Sequence, residues 1–436
     1  MKKAIYLFGL LALAAACSKK DDFRVDETPY ANAIMQRELF RAHLNLPENE
    51  PLSYQRKLPN YLRSLGMEAK PVNNWKATLG RVLFYDKNLS SDRTVSCASC
   101  HRQSLAFSDN KEVSRGIGGQ LGTRNSQPLA NVATFSGHYR PMNGLAAPML
   151  LWDNRALGVE EQAKIAFENP HEMNLTMPQV VERIREQPYY QYIWGTIYGD
   201  FEPKEAQVLE CLAEFVGAMG SHNSKLDVGL EMAQGQLDAL DLPDSSFVVT
   251  NEVFTPIGTA IVEVYYGGTQ TMTIYSSSFV NDTIAIPRPG IPTLTPSENE
   301  GRKLFVANCT KCHAALRPVQ EVFAACNGLD VNYKDPGLGG LTGNPADVGV
   351  FKSPSLRNIA LTAPYMHDGR FKTLEEVVNF YSTGVQDHPN LHPALRRDGN
   401  LKLNLTPQQK ADLVAFLKTM TDQSVTSDTR FSNPFK

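Results

Sequence analysis

Two stretches of the chain set two thiols and an imidazole at the same spacing: Cys97, Cys100 and His101 in CASCH, and Cys309, Cys312 and His313 in CTKCH. On one helical turn, two cysteines three positions apart can each form a thioether to a haem vinyl group while the adjacent histidine reaches the iron. Cys-X-X-Cys by itself also serves redox dithiols and zinc sites. A zinc site wants four ligands in one tetrahedral cluster, and neither motif has a second such pair beside it. Two copies, both completed by histidine, predict two covalently bound c-type haems.

The N-terminus predicts the compartment. Lys2 and Lys3 precede an apolar stretch, Ala4 to Ala16, that is too short to span a bilayer as mature structure and reads as an export signal. The run Leu13, Ala14, Ala15, Ala16, Cys17 resembles a bacterial lipoprotein cleavage site with Cys17 lipidated, although the leucine stands one place early; ordinary cleavage near the alanines is the alternative. An acylated Cys17 would tether a soluble body to a membrane, on the periplasmic face of the outer membrane or, given Lys19 to Asp22, at the cell surface. Membrane contact is expected only through that anchor. Of seven cysteines this leaves Cys211 and Cys326, which an oxidising compartment would allow to pair, though their pairing is not readable from sequence. A net charge of -3 carries no basic bias toward nucleic acid, and 42% hydrophobic content suits a globular chain of two or three domains.

These motifs need elements to position them. Residues 1–17 are the expected signal, 18–74 a linker and arm, 75–235 a first haem domain, 236–293 an insertion and 294–436 a second haem domain. Val208, Leu209, Leu212, Phe215, Val216 and Met219 follow helical spacing and close the first domain. From Phe247 to Ile286 the texture turns β-branched and aromatic around Gly267 and Gly268, which predicts a small β element. Thr295, Pro296 and Glu298 then form a helix-opening capping box, as do Thr406, Pro407 and Gln409. After the latter, Leu413, Phe416, Leu417 and Met420 share one face. No short internal repeat is evident. The expected fold is mainly α, two cytochrome c-like haem domains with an inserted small β element.

LGRVLFYDKNLSSDRTVSCASCH, LWDNRA, EEQA, NPHEM, LRNIALTAPYMHDGRF and TLEEVVNFY occur in this order, and together they resemble the bacterial di-haem cytochrome c peroxidase and MauG superfamily. The resemblance covers roughly Trp75 to Asp227 and Leu294 to Asp422. It implies that the first haem meets hydrogen peroxide and that the second relays electrons from a small donor, a cytochrome c or cupredoxin. The alternatives are a MauG-like enzyme that oxidises Trp or Tyr side chains of a partner protein, or a two-haem carrier without turnover.

The same resemblance assigns residues. Glu172 in NPHEM matches the family's distal glutamate, and Gln162 in EEQA matches a pocket amide. Trp152 in LWDNRA matches the tryptophan between the haems. Ile117 stands where peroxidases that need reductive activation keep a distal histidine, which implies a first haem open at rest; His138 is the nearby residue that could overturn this. Two candidates compete for the sixth position of the second haem, Met366 in PYMHDG and Tyr381 in TLEEVVNFY. Thr373 and Glu376 form a capping box, after which Leu374, Val377, Val378 and Tyr381 share a face, so Tyr381 points inward and the match is to MauG-type proteins. His367 is expected to orient the haem surroundings. Asn125, Thr362 and Pro364 match an interdomain calcium site made of one Asn side chain and two backbone carbonyls.

Overall fold

The computed structural model describes residues 28–64, 68–132, 135–136, 149–239, 249–254, 260–265, 269–274, 291–313, 324–396 and 399–436. The expected export signal with Cys17, and His138, lie outside the described residues.

The chain is mainly helical. An arm helix α1 (Thr28–His43) precedes α2 (Asn74–Tyr85), the haem-motif turn α3 (Cys97–Cys100), α4 (Val159–Glu168), α5 (Met177–Arg185), α6 (Tyr189–Tyr198), α7 (Glu205–Ala218) and α8 (Lys225–Ala239). The insertion is an antiparallel meander of β1 (Val249–Phe254), β2 (Ala260–Tyr265) and β3 (Thr269–Ile274), so the β element expected there is present. The second unit runs through α9 (Pro296–Asn308), β4 (Ala324–Cys326), β5 (Val350–Lys352), α10 (Leu374–Asn379) and α11 (Pro407–Lys418). The helix starts read from sequence hold: the side chains of Thr295, Thr373 and Thr406 accept from the backbone N–H three residues on, and Glu298, Glu376 and Gln409 reach back to the cap.

Each haem unit is built on one close helix crossing. A Cβ on Gly80 of α2 would lie 1.9 Å from the Cys211 carbonyl oxygen of α7 and 2.8 Å from Phe215 Cβ. A Cβ on Gly301 of α9 would lie 1.9 Å from the Asp412 carbonyl oxygen of α11 and 2.8 Å from Phe416 Cβ. Glycine is therefore required twice for the same reason, to let two backbones touch. Around the first crossing Phe84, Phe107, Phe215 and Phe431 pack edge to face, with centroids 5.3 to 6.2 Å apart. Burying each such ring contributes about 1.5–3 kcal/mol.

Phe431 belongs to the tail that follows α11, so the end of the chain packs into the first unit. Arg81 donates to the Ser432 carbonyl (2.6 Å), and Tyr85 donates to that of Phe431 (2.7 Å). A buried ion pair joins the units: Arg357 donates to both Asp227 oxygens at 2.8 and 2.9 Å and to Tyr61 Oη at 3.0 Å. Burial pushes the Asp227 carboxyl up, but the Arg357 guanidinium together with hydrogen bonds from Ser224 and Tyr61 outweighs this and holds its pKa below the ordinary value.

Candidate active site

The CASCH turn begins at Ser96, whose backbone N–H donates to Ser99 Oγ at 3.0 Å. His101 follows, and its Nδ1 lies 2.9 Å from the Phe107 carbonyl oxygen. A carbonyl can only accept, so Nδ1 carries the proton and Nε2 keeps its lone pair. Burial lowers the His101 pKa, which keeps the ring neutral. His313 is set in the same way, with Nδ1 3.0 Å from the Pro354 carbonyl oxygen and its pKa lowered by burial. Both imidazoles are thus prepared as metal ligands through Nε2. Around them lie two cavities in which these donor sets fit a haem.

The first cavity, of about 770 Å³, is lined by Cys100, His101, Trp152, Arg155, Gln162 and Glu172 among others. A smaller recess of about 60 Å³ adds Cys97 to His101, Gln162 and Glu172. The residues expected around the first haem are therefore brought together. Glu172 sits on the turn made by Asn169 and Pro170, where Asn169 Nδ2 donates to Glu172 Oε1 at 2.6 Å. Burial raises the Glu172 pKa, against the opposing effects of Asn169 and Arg155. The segment carrying Ile117 is pressed onto this turn: Ile117 N–H donates to the Glu172 carbonyl at 3.0 Å, and a Cβ on Gly116 would lie 2.0 Å from the His171 carbonyl oxygen. Among the described residues, the histidines in the cavity wall are His101 and His171, and His171 is exposed.

The second cavity, of about 210 Å³, is lined by Cys309, Cys312, His313, Met366 and Tyr381. Both candidate sixth ligands are present in it. Asn327 reaches both, its Nδ2 lying 3.3 Å from Tyr381 Oη and 3.7 Å from Met366 Sδ. Tyr381 stands on a π-helical turn, Phe380–Gly384, that continues α10. Burial pushes its phenol up to about 12. Met366 has φ +74°, a left-handed conformation that side chains other than glycine rarely adopt.

Trp152 lines both cavities, as does Asn125, whose carbonyl accepts from Trp152 Nε1 at 2.8 Å. His367 meets Trp152 edge to face at 6.5 Å between centroids and stacks on Phe351 at 3.8 Å. Thr362 and Pro364 line the second cavity together with Asn125. Asn125 Nδ2 donates to the Lys111 carbonyl at 2.8 Å, so Oδ1 is the amide's accepting atom.

Cys211 and Cys326 are both free thiols. Cys211 Sγ lies 3.3 Å from Tyr198 Oη in the first unit, whereas Cys326 Sγ lies 3.6 Å from Tyr333 Oη and from His388 Nδ1 in the second. The pairing that the compartment would allow is not made, because the two sit in different units.

Sequence reasoning missed Asn169, Arg155, Asn327 and Lys352. Asn169 stands before a proline, a turn signal that could have pointed to it. Arg155 lies within the LWDNRA motif, which could have pointed to it, whereas Asn327 and Lys352 carry no local signal, since only folding brings them to the cavities.

The fold and the sites define a protein of two haem units sharing one wall. Residues 74–235 match the family model for di-haem cytochrome c peroxidase, and residues 298–421 match that for cytochrome c. Cytochrome-c peroxidase IdrP1 of Pseudomonas sp. (strain SCT) is 29% identical over 351 residues, 80% of this chain and 82% of that protein. Methylamine utilization protein MauG of Paracoccus denitrificans is 28% identical over 404 residues, 82% of this chain and 91% of that one. The crystal structure of a MauG-like protein associated with microbial copper homeostasis superposes with a TM-score of 0.59 at 29% identity, covering 89% of this chain and 98% of that one. The chain thus combines a di-haem cytochrome c peroxidase domain over residues 74–235 with a cytochrome c domain over residues 298–421, domains that imply c-type haems.

Proposed function

We propose that the chain reduces hydrogen peroxide to water with two electrons from a small redox protein, a cytochrome c or cupredoxin. The observation that carries this reading is Glu172, an enclosed carboxyl of raised pKa beside Gln162 in the cavity that His101 lines. Cys97 and Cys100 would hold one haem by thioethers with His101 as its ligand, and Cys309, Cys312 and His313 would hold the other. When bound, these haems would supply the redox chemistry, peroxide reduction at the first site and electron storage at the second.

The chain's own residues handle protons and position. Glu172 as carboxylate takes a proton from one peroxide oxygen and, as carboxylic acid, returns it to the departing one, which leaves as water. Gln162 offers an amide to hold peroxide or an ordered water in line. Two electrons and two protons per peroxide give two waters. Ile117, having no ligating atom, supports a first site that needs no reductive activation. Trp152, in the wall common to both cavities, supports an electron route between them.

We assign Tyr381 rather than Met366 as the residue that, with His313, would hold the iron at the second site. Burial opposes loss of its phenolic proton, and a metal cation in the same cavity would offset that. The same residue favours a second reading, a MauG-like oxidation of Trp or Tyr side chains on a partner protein, since tyrosinate ligation stabilises high oxidation states. Asn125 Oδ1 with the Thr362 and Pro364 carbonyls would hold a calcium ion, with waters completing its shell. Export by the N-terminal segment and a lipid anchor at Cys17 complete the proposal. Among the described residues no helix is long and apolar enough to cross a membrane.

The test is to give purified holoprotein hydrogen peroxide with and without reduced cytochrome c. Consumption of two donor electrons per peroxide, from a resting protein with one high-spin and one low-spin haem, is expected. Two low-spin haems and no peroxide consumption would leave an electron carrier. A partner protein modified only when peroxide is supplied would establish the second reading.

A further inference from the structure

Lys352 ends β5 in the wall between the cavities, and it lines both of them. Its backbone N–H donates to the Trp152 carbonyl at 2.8 Å, which fixes its place beside the inter-cavity tryptophan. The ammonium group donates to the Met149 carbonyl at 2.8 Å. Among the described residues no carboxylate pairs with it, and burial pushes its pKa down to about 8.

The neighbouring cations are different. Arg124 is held by Asp153 and Asp335, and Arg155 by Asp153. Lys311 and Lys334 line the cavities but are exposed to solvent. Lys352 is the cation of the shared wall that is partly enclosed and without an acidic partner among the described residues. An ammonium largely removed from water in that condition is costly unless an anion joins it. Each c-type haem carries two carboxylates; of the other anions invoked above, Glu172 is bonded to Asn169 and Tyr381 to Asn327.

We propose that Lys352 is the counter-ion of a haem carboxylate at the junction of the two sites. This rests on the two-haem reading of the cavities. The carboxylate can come from the haem held at His101 or from the one held at His313, and the measurement separates the two. The salt bridge ties a haem to the strand that also holds Trp152 and so fixes their mutual position. It also places a positive charge where it favours the reduced iron, because added electron density is stabilised by a nearby cation.

The experiment is spectroelectrochemical titration of wild-type, Lys352→Gln and Lys352→Arg holoproteins, reading each haem by its own absorption bands. In Lys352→Gln one haem is expected to become at least tenfold harder to reduce, a fall of about 59 mV for a one-electron couple. Lys352→Arg is expected to restore most of that fall. The haem that shifts identifies the source of the carboxylate. Should Lys352→Gln fail to accumulate with both haems, Lys352→Met, which keeps the aliphatic stem, takes its place. Unchanged potentials at both haems, or an equal fall in the arginine variant, would overturn the assignment. Peroxide turnover by the wild type is measured alongside. An inactive wild type with a shifted Lys352→Gln potential removes the peroxidase reading and keeps the lysine, and the reverse result removes the lysine alone.

Discussion

The two haem units solve one problem identically and another oppositely. On the side of the cysteines each uses a glycine crossing and a histidine whose Nδ1 is bound to a backbone carbonyl, Phe107 in one unit and Pro354 in the other. On the far side they diverge. The first cavity is roomy, about 770 Å³, and presents a carboxyl and an amide; the second is about 210 Å³ and presents a phenol and a thioether. Holding a haem is a shared local requirement. What the cavity does with the open face is decided by the residues opposite.

The largest effect is expected where the units meet. Asp227→Asn removes the buried charge that pairs with the half-buried Arg357 and should cost about 3–5 kcal/mol, read by denaturant unfolding. The pH sign follows from the depressed Asp227 pKa: the pair's contribution is complete above the ordinary carboxylate range and is lost as pH falls through the lower, folded value. Acid should therefore uncouple the units in wild type and change little in the variant. A melting curve for the variant as acid-sensitive as that of wild type would place the coupling elsewhere.

Glu172→Gln should lower peroxide turnover by about 100-fold or more, equivalent to about 2.7 kcal/mol of barrier, and leave the second haem's spectrum intact. Near-full activity would remove the carboxyl from proton transfer. Because burial raises the Glu172 pKa, the folded state disfavours its charge, so this variant is expected to unfold at a slightly higher temperature than wild type at neutral pH. By the same sign, wild-type turnover should fall on the acid side at a pH above the ordinary carboxylate value.

Gly80→Ala and Gly301→Ala force apart equivalent backbone contacts and should each cost about 1–3 kcal/mol. Haem-resolved unfolding would sharpen the comparison: each variant should perturb its own unit first. Tyr381→Phe is the smallest change, one oxygen, and should alter the absorption of the second haem alone. An unchanged spectrum would hand the sixth position to Met366.

Much of this was written locally. The two haem motifs, the capping boxes at Thr295, Thr373 and Thr406, and the β texture after Phe247 each depend on residues within a few positions of one another, and all appear as read. The place of Glu172 was legible only through its motif, since an acidic residue after Asn-Pro has no distinguishing local physics.

Other features answer to contacts that close over hundreds of residues. The tail that delivers Phe431 to the first core, the separation of Cys211 from Cys326, and the enclosure of Lys352 between two cavities follow from how the units pack. Short-range spacing determines which side chains can attach a cofactor, because that chemistry is completed within one helical turn. Burial, charge pairing and the volume left on the far side of each histidine are sums over distant neighbours, and only the folded chain decides them.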